Sequence, residues 1–119
     1  MTKKERDDLV AITYVGQMLD ELIKAEKKHP YFADYVDTSF PKIWKARLDA
    51  QRKLLADSIA KRDVPAFAVI VCELLEFMEA CAQEDWKAAM VELAQVGAVL
   101  IRTARMVQAK IDDQDGGGA

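Results

Sequence analysis

The stretch from Val71 to Val107, VCELLEFMEACAQEDWKAAMVELAQVGAVLIRTARMV, constrains this chain more than any other. It holds one glycine and no proline, and its apolar residues recur at helical intervals on both sides of a polar turn, Gln83-Glu84-Asp85. The simplest structure for such a stretch is two consecutive helices packed antiparallel. Four polar residues do not suit a plain helical hairpin. Glu73 and Glu76 stand three residues apart on the first helix, and Glu92 and Gln95 stand three apart on the second. Each pair spans about 60° of one helix face. The neighbours on those faces are mostly apolar: Val69, Ile70, Phe77 and Ala80 beside the first pair, and Ala88, Ala89, Val96, Val99 and Thr103 beside the second.

The rest of the chain predicts two further helices. Over residues 4–27, Leu9, Ile12, Val15, Leu19, Leu22 and Ile23 form one apolar stripe opposite Lys and Glu, and Pro30 closes the segment. Residues 29–41, HPYFADYVDTSFP, are too long for a simple helix hairpin and should pack over something. Thr38 or Ser39 is placed to cap a second helix over 41–61, with Pro41 in its first turn. That helix turns Ile43, Trp44, Leu48, Leu54, Leu55 and Ile59 inward. Asp63, with Pro65 in the first turn, is expected to cap the third helix, which ends near Ala82. Asp85 should cap the fourth, which ends near Ile111. The fold class is therefore all-α, a four-helix, bundle-like single domain over residues 1–112 with a disordered tail over 113–119.

Helix four is apolar almost all the way round from Ala88 to Ile101, so it should be central or at a subunit interface, with Glu92 buried. A buried carboxylate must be neutralised, paired or metal-bound. Three converging carboxylates raise one another's pKa unless a cation stands between them. Oxygen donors without histidine favour Mg²⁺ or Mn²⁺ over zinc. The alternative is that these acids lie on solvated faces or pair with Lys42, Lys45, Arg47, Arg52 and Lys53, which make helix two the most basic element. One or two of those cations are also candidates for a phosphate contact.

The string Glu73-Leu-Leu-Glu76, fifteen residues, then Glu92-Leu-Ala-Gln95 resembles the ExxE, spacer, ExxD signature of the MazG-like group of all-α nucleoside triphosphate pyrophosphohydrolases. The resemblance covers about 35 residues; the first seventy match only as helices. It implies a Mg²⁺ ion held by Glu73, Glu76, Glu92 and Gln95, with the three glutamates catalytic. The implied reaction is hydrolysis of a nucleoside triphosphate to a monophosphate and pyrophosphate. Arg102, two turns beyond Gln95 and about 20° round the helix, is the candidate phosphate ligand, with a salt bridge to a neighbouring helix as its alternative role. The family's last aspartate is Gln95 here, as in strings of similar form in phage-type members. Glutamine still offers a carbonyl oxygen but removes a negative charge and cannot act as a base. A non-catalytic helical interaction protein on the same scaffold is thus the second reading.

Other classes are excluded or constrained by composition. A net charge of −3 argues against nucleic-acid binding. No apolar run has the length of a membrane span, and MTKKERDD lacks a signal-peptide core. Cys72 and Cys81, nine residues apart on one helix, fall on opposite sides about 13 Å apart and cannot pair, which suits the cytoplasm. His29 is the sole histidine, too few for a zinc site or a catalytic triad. Trp44 and Trp86 are core or interface anchors, or platforms for a base. Gly97, inside helix four, costs about 1 kcal/mol relative to alanine and suggests close helix approach. A homo-oligomer, dimer or higher, is expected because family members generally assemble and helix four needs further cover.

Overall fold

The computed structural model describes residues 1–32 and 35–116. Among these the regular structure is entirely helical: α1 (Lys3–Lys28), α2 (Lys42–Ala60), α3 (Ala66–Ala82) and α4 (Trp86–Gly116). The all-α, four-helix expectation is met, and no described helix is long and apolar enough to cross a membrane. The chain divides into two compact units: residues 1–34 with 101–119, and residues 35–100. Helix α4 passes from one to the other.

Several helix ends differ from expectation. Asp85 caps α4, its Oδ1 accepting from Ala88 N at 3.1 Å. Asp63 does not cap α3, because Pro65 occupies the N-cap position without any side-chain bond. The Asp63 amide instead closes α2, donating to Ser58 O at 3.1 Å, with Arg62 in the left-handed region. Pro41 is itself the N-cap of α2, not a first-turn residue, and neither Thr38 nor Ser39 caps that helix. The Ser39 amide donates to Asp37 Oδ1 at 2.9 Å, tightening the preceding loop. Ala33 and Asp34 of that loop lie outside the described residues.

Helix α4 overruns its expected end at Ile111 and runs to Gly116, taking in residues 113–116 of the tail expected to be disordered. Extending an existing helix needs no new nucleus, and Gln108 Nε2 donates to Asp112 Oδ1 one turn on, at 2.9 Å. Residues 117–119 of that tail lie outside the described residues.

In the unit of residues 35–100, two small cores set the spacing of three helical segments. Leu48 of α2 is fully buried against Cys72 and Leu75 of α3, with Phe40, Leu55, Val71 and Met78 packed round them. Near the α3–α4 turn, Ala80 and Cys81 meet Ala89, flanked by Phe77 and Ala88. These are small side chains, so the helix axes come close there. The turn is tight: Glu84 adopts a positive φ of 56°, and Asp85 N returns to Ala80 O at 3.1 Å.

Burial is less than the apolar patterning predicts. Of the α2 residues expected inward, only Leu48 is buried; Ile43, Trp44, Leu54 and Ile59 are exposed. On α4 only Ala89 and Val96 are buried, and Met90 and Val91 are exposed, so this helix is not enclosed. Gly97 has nothing within 4 Å of where a Cβ would stand, so close helix approach is not its use within the chain.

In the other unit, α1 starts on a Thr2 cap, Oγ1 accepting from Glu5 N at 3.1 Å, and ends on Lys27 and Lys28, which suit the helix dipole. Arg105 Nε donates to Asp7 O at 3.3 Å. No residue of α1 is buried. The stripe expected to face a core instead leaves Ile12 at 70% and Leu19 at 58% exposure. Two helical segments share one seam, and one seam cannot cover a stripe more than 100° wide.

Candidate metal centre

The seam that brings Ala80 and Cys81 against Ala89 also fixes the register of α3 on α4. One to two turns from that contact, Glu73 and Glu76 of α3 meet Glu92 and Gln95 of α4. One carboxylate oxygen from each of Glu73, Glu76 and Glu92 lies within 4.8 Å of the others. The three are half-buried, which corrects the expectation of a buried Glu92. Half-burial follows from α4, which packs along α3 but is not itself enclosed.

This proximity has an electrostatic consequence. The Glu92 carboxyl is pushed up to about 7, first by burial, then by its hydrogen bond with Glu73 and the charges of Glu76 and Glu73. Gln95 also relieves the crowding. With its amide nitrogen turned inward, it donates to Glu73 Oε2 at 2.9 Å and to Glu92 Oε2 at 3.0 Å. Turned the other way, its carbonyl oxygen stands beside those same two oxygens, an arrangement that a cation between them, or a proton on one carboxyl, makes favourable.

On the other flank, Glu76 Oε1 accepts from Arg52 Nε at 3.3 Å and from the Cys72 thiol at 3.6 Å. Arg52 Nη2 also reaches Glu79 Oε1 at 3.4 Å. Lys45 Nζ donates to Glu79 Oε2 at 2.9 Å and lies 3.5 Å from Asp49. The Lys45 hydrogen bond holds the Glu79 carboxyl below its ordinary value, against the effect of burial, with Arg52 adding to the shift. Burial, followed by the Glu76 charge, pushes the Cys72 thiol up to about 11. Cys72 is thus a hydrogen-bond donor here and not a nucleophile. Both cysteines are free, in keeping with their spacing.

The structure brings Glu73, Glu76, Glu92 and Gln95 together. Arg102 is exposed and belongs to the other unit. Trp44 and Trp86 are exposed at 40% and 49%, so neither is a core anchor. The Arg52–Glu76 pair is the salt bridge to helix two that the sequence offered as the alternative for these acids, whereas the role of Glu79 was not singled out. The signal was present: Glu73, Glu76 and Glu79 recur at three-residue spacing, and Lys45 and Arg52 stand seven apart, on one helix face.

Three carboxylates and an amide carbonyl make a hard, all-oxygen donor set. Oxygens bound to one Mg²⁺ at about 2.1 Å sit roughly 3 Å from one another. The three carboxylates already bring one oxygen each within 4.8 Å of the others. The donor set therefore fits Mg²⁺ or Mn²⁺. No family model, curated protein or solved structure matches this chain.

Proposed function

We propose that the α3–α4 cluster binds Mg²⁺ or Mn²⁺ and that the chain is a nucleoside triphosphate pyrophosphohydrolase of the MazG-like kind. The observation that carries the reading is the convergence of Glu73, Glu76 and Glu92 from two helices, with Gln95 against two of them. In this reading the three glutamates hold the ion, and Gln95 turns its carbonyl oxygen toward it. When bound, such an ion offsets charge on phosphate oxygens and makes a bound water more acidic. By holding such an ion, the glutamates would fix where the triphosphate lies. A carboxylate oxygen of the trio accepts the proton of a water whose oxygen bonds to the α-phosphorus. The bond from that phosphorus to its bridging oxygen then breaks, leaving a nucleoside monophosphate and pyrophosphate.

The same reading includes a second copy of the chain, because the exposed stripe of α1 asks for a cover that two helical segments do not supply. Light scattering on the purified protein should give a mass of at least twice 13.3 kDa. The free thiols suit a reducing compartment, and the reading places the protein in the cytoplasm.

The test is pyrophosphate release from a panel of canonical and modified nucleoside triphosphates with Mg²⁺ or Mn²⁺. Turnover of at least one is expected, together with a metal-dependent rise in thermal stability; an ion at 100 times its Kd contributes about 2.7 kcal/mol. No turnover and no metal-dependent stabilisation would overturn the reading.

A second reading, a non-catalytic helical interaction protein, is favoured by one observation: the Gln95 amide can satisfy Glu73 and Glu92 without an ion. Gln95→Asp separates the two. With a working cation site the substitution strengthens Mg²⁺ binding. On an inert scaffold it adds an uncompensated charge and lowers stability at neutral pH whether or not Mg²⁺ is added.

A further inference from the structure

Arg52 connects the ion-paired flank of α3 to the carboxylate cluster, contacting both Glu79 and Glu76. Its two contacts differ in what depends on them. Glu79 keeps Lys45 at 2.9 Å whether or not Arg52 stays. Glu76 takes its charged partner from Arg52, through a bond of 3.3 Å at the long end of the usual range. The Arg52 side chain is 43% exposed and sits at the end of a long flexible stem. It can therefore leave Glu76 without unpacking the Leu48 core, and Glu79 remains paired when it goes.

We propose that Arg52 is a shared cation of this site: it occupies Glu76 in the resting chain and passes to a phosphate oxygen of a diphosphate-bearing ligand once a divalent ion takes Glu76. The proposal rests on the cation-site reading above. Glu76 Oε1 cannot serve Arg52 and a divalent ion equally, because two cations at one oxygen repel. A bare ion must displace the guanidinium with nothing offered in return. An ion arriving with a diphosphate supplies the displaced guanidinium with a pair of phosphate oxygens, which its planar fork can bind bidentately. The site consequently takes the ion and the diphosphate together in preference to the ion alone, a positive coupling between two ligands.

Isothermal titration calorimetry of the full chain tests this, with Mn²⁺ alone and then with inorganic pyrophosphate at saturating Mn²⁺. In the wild type the ion should bind weakly alone and roughly tenfold more tightly with pyrophosphate, within the usual range of such couplings. Arg52→Gln should change the two titrations in opposite senses. Bare Mn²⁺ binds several-fold more tightly because its competitor is gone, and pyrophosphate binds roughly tenfold more weakly. A residue that only props up the fold would weaken both. Arg52→Lys keeps the charge and loses the fork, so bare-ion affinity stays near wild type while the coupling falls; this variant carries the test if Arg52→Gln does not fold. If the wild type binds Mn²⁺ but the variants leave both titrations unchanged, or weaken both, the Arg52 assignment is overturned and the cation site stands. If the wild type binds no Mn²⁺ with or without pyrophosphate, both are overturned.

Discussion

Helix α3 carries glutamates toward two neighbours, and the two sides are compensated in different ways. Toward α2, Glu79 meets Lys45 and Arg52, and its carboxyl is held below the ordinary value. Toward α4, Glu73 meets Glu92 and Gln95, and the Glu92 carboxyl is pushed up to about 7. The residue type is the same on both sides, so what each α3 glutamate faces makes the difference. α2 supplies lysine and arginine, whereas α4 from Ala88 to Ile101 contains no basic residue at all. One side is neutralised from within the chain. The other holds its protons, borrows an amide, or takes a cation from outside. Glu76 lies between the two, which is why Arg52 on it matters.

The largest effect comes from separating α2 from α3. Leu48 is fully buried against Cys72 and Leu75. Leu48→Ala removes apolar contact and leaves a cavity, at a cost of about 3 kcal/mol. Urea unfolding should show the loss as a lower midpoint with an unchanged slope. The contrast between the two sides predicts what survives. Stabilisation by added Mn²⁺ should persist in the folded fraction, because the ion's donors sit on α3 and α4. Loss of the Mn²⁺ response together with the core would show that the α2 side holds the cluster together.

Glu92→Gln comes next. A carboxyl that holds its proton up to about 7 when folded, against an ordinary 4.5, favours the folded state wherever the proton is bound in both states. That contribution is complete below about 4.5 and is lost as pH rises through about 7. The wild type should therefore lose stability across this window, and Glu92→Gln should flatten the loss. Partial exposure screens the effect, so roughly 1 kcal/mol is the expected size. Added Mg²⁺ should restore the wild type above pH 7 and leave the variant unmoved. A variant with the wild-type pH profile would mean that the α4 side is not strained.

Much of this arrangement is legible in the residues. The breakers Pro30, Pro41 and Pro65 and the Asp85 cap give four helices in the right order, and three-residue spacing gives the cluster of Glu73, Glu76, Glu92 and Gln95. What periodicity does not carry is what lies opposite a face. The α1 stripe is plain in the pattern, yet nothing in Leu9 or Ile12 says whether a core covers them, and among the described residues both stay exposed. Arg52 is one of several cations on α2, and its reach to Glu76 depends on the register that Leu48 sets against Cys72 and Leu75. That register is a tertiary property. The end of α4 was obscured differently: DDQDG reads as a stop, but a helix already formed runs on through it.

Glu79→Gln should have the smallest effect and sharpen the contrast most. The glutamine keeps the shape and gives up the charge that Lys45 and Arg52 share. Partly exposed pairs of this kind contribute little, so a loss of about 0.5 kcal/mol is expected at neutral pH. The sign with pH is opposite to that of Glu92. A carboxyl held below its ordinary 4.5 contributes stability above that value and loses it as pH falls through the folded value. Glu79→Gln should thus flatten the acid limb of the stability profile below about 4.5 and leave the window up to 7 untouched, while Glu92→Gln does the reverse. Freed from Glu79, Arg52 has Glu76 as its remaining acidic partner, so bare Mn²⁺ should bind more weakly to this variant than to the wild type. If calorimetry finds bare-ion binding unchanged, Arg52 does not compete for Glu76, and the two sides of α3 are independent.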